Sequence, residues 1–202
     1  LGWHLLDSGA LYRLVALAAG RAGIPLGDAA RLAGAASAMN VKFASTPDGE
    51  EQILLEGEEV TAELRSETTG NAASQVAALP EERQALVESQ RRFAQPPGLV
   101  ADGRDMGTVI FPDAGLKIFL TATPEERALR RYKQLKDKGL DVSLAALSRE
   151  VAERDARDSG RKTAPLAVAG DAVLLDSTGI DAREVVQRIL RLAREHFGLQ
   201  PN

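Results

Sequence analysis

Cysteine is absent from this 202-residue chain, and histidine occurs only twice, at His4 and His196. Disulfides and thiolate metal sites are thereby excluded, and two histidines are too few for an obvious zinc centre. Aromatic residues make up only 4%, which argues against a surface that stacks the bases of a single strand. No uninterrupted apolar stretch approaches the roughly 18 residues of a bilayer span, and no signal-peptide pattern opens the chain. The expectation is therefore a cytoplasmic, membrane-free protein with no resident metal, Mg²⁺ entering only with a substrate.

What is present fits one sizeable globular fold: 44% of the residues are hydrophobic, enough to fill a core. The net charge of −4 speaks against a general nucleic-acid binder. Its distribution is uneven, because 11 of the 25 Lys and Arg residues fall between Arg127 and Lys162. A cationic region on an acidic chain suits a small anionic ligand, although a solvated helix face carries such runs as well.

Read along the chain, Trp3-His4-Leu5-Leu6 is a first strand that turns at Asp7-Ser8-Gly9 into an Ala/Leu-rich helix ending near 20–23, with Asp or Ser as its N-cap. Leu1-Gly2 reads as the end of a helix, so a preceding segment is expected. A second helix is expected over 28–38. Residues 41–60 read as an antiparallel meander turning at Thr46-Pro47-Asp48-Gly49. Helical stretches over 65–78 and 81–94 follow, the latter opening with Pro80. Gly98 to Ala101, Leu116 to Thr121 and Ala172 to Leu175 are short apolar runs without clear alternation, the pattern of a parallel sheet covered on both faces. Thr123-Pro124-Glu125-Glu126 is a strong helix start, with a capping threonine and a box glutamate. Helices are expected over 124–138, 143–158 and 181–197. The fold class predicted is a three-layer α/β protein with a parallel sheet and a small antiparallel β insert.

In such sheets ligands gather beyond the carboxyl ends of the strands. Those turns hold Asp7-Ser8-Gly9, Asp102-Gly103-Arg104-Asp105 and Asp176-Ser177-Thr178. A polar turn needs no further reason than Asp-Gly. At a ligand-binding edge, however, Arg104 can clamp a phosphate with its planar fork and Asp105 can accept hydrogen bonds from an amino group.

The segments "HLLDSGALYR" (4–13), "NAASQVA" (71–77), "VADGRDMGTVIFPDA" (100–114), "ERDARDSGR" (153–161) and "VLLDST" (173–178) resemble, in this order, the bacterial cytidylate kinases. The resemblance covers essentially the whole chain. It implies a P-loop nucleoside monophosphate kinase that passes the γ-phosphate of ATP, with Mg²⁺, to CMP or dCMP. It also implies a core segment over 1–27, a monophosphate-binding region over 28–95 with the β insert at about 41–60, and a core over 96–202 with a helical lid at about 124–162.

Carried over residue by residue, the resemblance puts Ser8, Arg13 and Arg104 near the substrate α-phosphate, with Tyr12 as a packing neighbour. Ser74, Arg83 and Asp105 would read cytosine, and Arg154 and Asp158 would hold the ribose. Arg161 would approach the phosphates, while Arg127, Arg130 and Arg131 would close over ATP from one helix face. Catalytic roles fall to Arg104, Arg130 and Arg154. Spacing alone leaves alternatives open: Arg154 and Asp158 as an i, i+4 surface pair, the three lid arginines as a solvated face, Ser74 as a small packing residue, Asp102 as either a Mg²⁺-shell group or a turn cap.

One element of the pattern is lacking. The chain contains no G-x-x-x-x-G-K-[ST] loop, and Gly160-Arg161-Lys162-Thr163 does not substitute for it. The family's loop lies before its counterpart of "WHLLDSG", which fits a strand, loop and helix of roughly 25 residues ahead of Leu1. The expectation is a fragment of an ordinary kinase that is inactive by itself, or else a chain that lost ATP chemistry and kept nucleotide binding. A related UMP/CMP-type kinase and an RNA binder using 127–162 are the remaining alternatives. A monomer acting on free nucleotides, without nucleic acid, is expected.

Overall fold

The computed structural model describes residues 1–46, 51–137, 139–160 and 166–199. The chain forms two compact units, Leu1–Met106 and Gly107–Asn202, each with its own parallel pair of strands.

In the first unit, strand β1 (His4–Asp7) pairs in parallel with β5 (Leu99–Asp102), in a register that sets Asp7 opposite Asp102. Helix α1 (Ser8–Arg21) starts directly at the strand end because the Asp7 carboxylate accepts the Ala10 N–H at 3.0 Å. Leu11, Leu14 and Val15, spaced i, i+3, i+4, form its buried face, which packs on α4 (Glu67–Val76). Helix α2 (Ala29–Ala38) packs on α5 (Pro80–Arg91) through Leu32 and Leu86, both fully buried. Between them runs an antiparallel sheet of β2 (Val41–Ser45), β3 (Glu51–Leu55) and β4 (Glu58–Glu59). Phe43 of this sheet meets Phe93 with ring centroids 5.6 Å apart. The turn expected at 46–49 lies, beyond Thr46, outside the described residues. The helix expected over 65–78 is α4, which starts after Ser66 because the Ser66 hydroxyl accepts the Thr69 N–H, and a short helix not expected, α3 (Thr61–Leu64), precedes it.

In the second unit, β6 (Ile118–Thr121) pairs in parallel with β7 (Val173–Asp176), Thr121 standing opposite Asp176. Helices α6 (Pro124–Asp137) and α7 (Leu144–Ser159) pack as a hairpin around Ala128, Leu135 and Leu147. Helix α8 (Ala182–Phe197) closes the unit, capped by Asp181 at one end and by left-handed Gly198 at the other.

The architecture is thus α/β, with parallel strand pairs and a small antiparallel sheet, as the resemblance implies. The apolar strand runs conceal an alternation in burial. Leu6 and Leu175 are inside, whereas Leu5, Val100, Leu120 and Leu174 are between 45% and 63% exposed. Among the described residues, no helix is long and apolar enough to cross a membrane.

Candidate active site

At the carboxyl end of the first unit's strands, the chain places charge inside the protein. Arg83 of α5 and Asp105, which follows β5, form an ion pair in which both side chains are at most 7% exposed. The guanidinium also donates to the Ala77 carbonyl at 3.3 Å and lies 5.8 Å from the centre of the Tyr12 ring. Two charges are removed from water together here, an arrangement in which loss of either partner strands the other. Ser8, 3% exposed, stands where α1 begins. A Cβ on Gly103 would come within 2.9 Å of the Ser8 Cβ, so the β5 turn needs glycine to close against α1.

Asp102 keeps an exposed edge. Burial of the strand end, and then the neighbouring Asp7, nevertheless raise its carboxyl above the ordinary range, while Arg104 and the Gly103 N–H pull it back. Arg13 donates to the carbonyls of Leu64 and Ser66 and crosses α4 at Gly70, where a Cβ would meet its guanidinium at 3.1 Å. A mid-helix glycine costs roughly 1 kcal/mol relative to alanine, and here it admits a cation. Ser74 is half-buried on α4, and Arg104 is half-buried in the turn after β5. Ser8, Arg13, Ser74, Arg83, Arg104 and Asp105 therefore all lie in the first unit, and the structure joins Arg83 directly to Asp105.

The second unit holds the remaining cations. Arg127 of α6 grips Asp155 of α7 with both terminal nitrogens, at 2.8 and 2.5 Å, and its Nε donates to the Ala122 carbonyl at 3.2 Å. The Asp155 hydrogen bond is the main reason that its guanidinium is held still more firmly protonated. Arg130 is bound up in the turn that follows β7: Nη1 donates to Ser177 Oγ at 3.1 Å, and Nη2 to the carbonyls of Ser177 and Ile180. Its Nε pairs with Glu126 at 2.9 Å. That glutamate is consequently not the reciprocal half of a capping box. The Thr123 N–H donates to Thr178 Oγ1 at 3.1 Å, although the Thr123 hydroxyl does accept the Glu126 N–H.

Arg131 is half-buried on the same helix. Arg154 and Asp158 form the i, i+4 ion pair that their spacing allows, at 3.9 Å, with Arg154 half exposed and Asp158 buried. Arg161 lies outside the described residues. No group of three or more His, Asp or Glu residues able to hold a metal occurs among the described residues.

Three features were not legible in the sequence. Asp155 sits within the "ERDARDSGR" segment, but its partner lies on another helix. Ser177 is 1% exposed and holds the end of β6 by donating to the Thr121 carbonyl. Glu82 is completely buried on α5, with neither carboxylate oxygen hydrogen-bonded among the described residues, and burial pushes its carboxyl up to about 7. A second glutamate after Pro80 reads as ordinary first-turn charge, and only packing reveals that it points inward.

Comparison with known proteins bears on the whole chain. The family model described as cytidylate kinase matches residues 1–195. A cytidylate kinase of Azotobacter vinelandii is 55% identical over 191 residues, covering 94% of this chain and 83% of that protein. One from Pseudomonas aeruginosa is 58% identical over 193 residues, 95% of this chain and 84% of the relative. One from Aeromonas salmonicida is 52% identical over 199 residues, 98% and 86% respectively.

Proposed function

The chain belongs to the cytidylate kinase family, and from that premise we propose that it takes part in transfer of the γ-phosphoryl group of ATP to CMP or dCMP, giving the diphosphate. The observation that carries the acceptor assignment is the buried Arg83–Asp105 pair. A carboxylate held in a dry site accepts from an exocyclic amine, and a guanidinium beside it donates to a ring carbonyl. Cytosine offers that combination. Uracil sets a carbonyl where the amine should be and leaves a buried acceptor unpaired, at a cost of roughly 1–3 kcal/mol.

The remaining residues take roles on this reading. Ser8, Arg13 and Arg104 receive the acceptor phosphate, and Ser74 assists at the base. Arg154, Asp158 and Arg161 meet the ribose and phosphates. Arg127 and Arg131 present charge to the donor, and Arg130 acts through the turn that it holds. Mg²⁺ would come with ATP and neutralise phosphate charge, and Asp102 is the carboxylate that would meet its shell. The chemistry is in-line displacement, in which positioning and charge neutralisation supply the rate. The protein works as a cytoplasmic monomer on free nucleotides. Residues 1–202 contain no Gly-rich Lys loop to cradle the donor, so by themselves they are inactive on this reading.

The experiment is a titration of CMP, dCMP and UMP against the wild type and Asp105→Ala, by calorimetry, with melting curves to confirm folding. CMP binding weakens by about 2 kcal/mol or more in the variant, and the preference over UMP narrows. An unchanged CMP/UMP ratio in a folded variant removes Asp105 from the base site.

A further inference from the structure

We propose that Asp155 is a positioning residue that fixes the Arg127 guanidinium for the donor phosphates. The inference deepens, and rests on, the reading above in which α6 presents Arg127 to the donor. It starts from a count of N–H groups. A guanidinium carries five, in one plane. Nε–H is taken by the Ala122 carbonyl, one hydrogen of Nη1 by Asp155 Oδ1 and one of Nη2 by Asp155 Oδ2. These contacts come from two directions, the end of the β6 turn and the facing helix α7, so the plane of the fork is determined and not merely its position.

Two N–H groups are left over on the terminal nitrogens. They lie on opposite edges of the plane, since the end of the fork is spent on Asp155, and each can donate singly to a phosphate oxygen from a guanidinium already held in place. The residue is about one-third exposed at its side chain, as is Asp155, so the pair is anchored in protein yet within reach of solvent-borne ligand. A lone surface arginine has to give up rotamer freedom when it meets phosphate, whereas this one has given it up in the fold. Arg130, on the same helix face, contrasts with it: its N–H groups make four bonds, to Glu126 and to the 177–180 turn, so only one is left over.

The test is a double-mutant cycle of Asp155→Asn and Arg127→Gln in the form of the protein that shows kinase activity, with kcat and KM measured separately for ATP and CMP. Asp155→Asn keeps the shape and removes the charge and one acceptor. It is expected to lower kcat/KM for ATP about tenfold while leaving KM for CMP unchanged. In the Arg127→Gln background the same change should cost less than about twofold, because nothing remains to be positioned. Asp155→Glu, which retains a carboxylate, should recover part of the loss; it also replaces Asp155→Asn in the cycle if that variant does not fold. A full tenfold cost in the Arg127→Gln background, or KM for CMP rising in step with that for ATP, overturns the proposal and makes the pair a structural clip. If the chain with a G-x-x-x-x-G-K-[ST] loop supplied ahead of Leu1 releases no ADP with any nucleoside monophosphate, the functional reading fails instead, so the two failures are distinguishable.

Discussion

Glu82 and Arg83 are adjacent on α5 and equally hidden from solvent, yet the fold treats them oppositely. Arg83 has Asp105 to answer its charge, while among the described residues Glu82 has no hydrogen-bond partner for either oxygen. A carboxylate in that setting is costly and the neutral acid is the form that fits. Its carboxyl stands at about 7 in the folded chain against an ordinary 4.5. Below pH 4.5 both folded and unfolded chains hold the proton and the group is indifferent to pH. Above it the unfolded chain releases a proton that the folded one keeps, so stability drains away until pH exceeds 7. The accumulated loss is about 3 kcal/mol. Glu82→Gln cannot ionise and should escape it. Urea unfolding of both proteins at pH 5 and pH 8 is the measurement, with the variant gaining about 3 kcal/mol on the wild type between the two. A difference independent of pH would mean that Glu82 reaches water or a cation in solution.

At the scale of elements, the turn after β7 is tied down by side chains from three places. Thr178 accepts the Thr123 N–H and donates to Asp176 at 2.7 Å, Ser177 bonds the Thr121 carbonyl, and Arg130 reaches across from α6. Arg130→Met keeps the aliphatic stem but deletes the bonds to Ser177 and Ile180. A loss of about 2 kcal/mol is expected, together with faster amide exchange at 177–180 and unchanged protection along α7. If Arg130 instead meets phosphate directly, the variant melts like the wild type and loses only turnover. Elements of this kind were readable in advance wherever the signal is local. The Asp7 cap, the Pro124 helix start and the meander over 41–60 follow from neighbouring residues, and boundaries moved little. Asp102, Arg104 and Asp105 were legible as the polar turn that follows a strand, because a strand end concentrates unusual residues. What stayed hidden is long-range: Asp155 is 28 residues from Arg127, and no pattern within either helix names the other. Likewise, the burial of Glu82 depends on what packs against α5 and not on its neighbours in the sequence.

At the scale of the whole molecule, the two units divide the cations and the acceptor-reading pair between them, Arg83 and Asp105 in the first and Arg127 to Arg131 in the second. Phosphoryl transfer needs more than these. The donor's β- and γ-phosphates have to be held in line while charge shifts, and in this reaction class a Gly-rich loop of backbone N–H groups and a lysine do that. Residues 1–202 contain no G-x-x-x-x-G-K-[ST] pattern to supply them. Arginines from α6 alone would face a donor that moves, and lost positioning and electrostatic stabilisation together cost on the order of several powers of ten in rate. Binding of CMP rests, on this reading, on side chains that residues 1–202 all contain and is expected to survive. The prediction is therefore a dissociation of two properties: residues 1–202 bind CMP in preference to UMP but release no ADP above a no-enzyme blank. Fusing a strand, a G-x-x-x-x-G-K-[ST] loop and a helix ahead of Leu1 should bring turnover back with the same acceptor preference. Turnover by the 202 residues themselves would show that other groups in this chain hold the donor, with the lid arginines the first to be substituted in search of them.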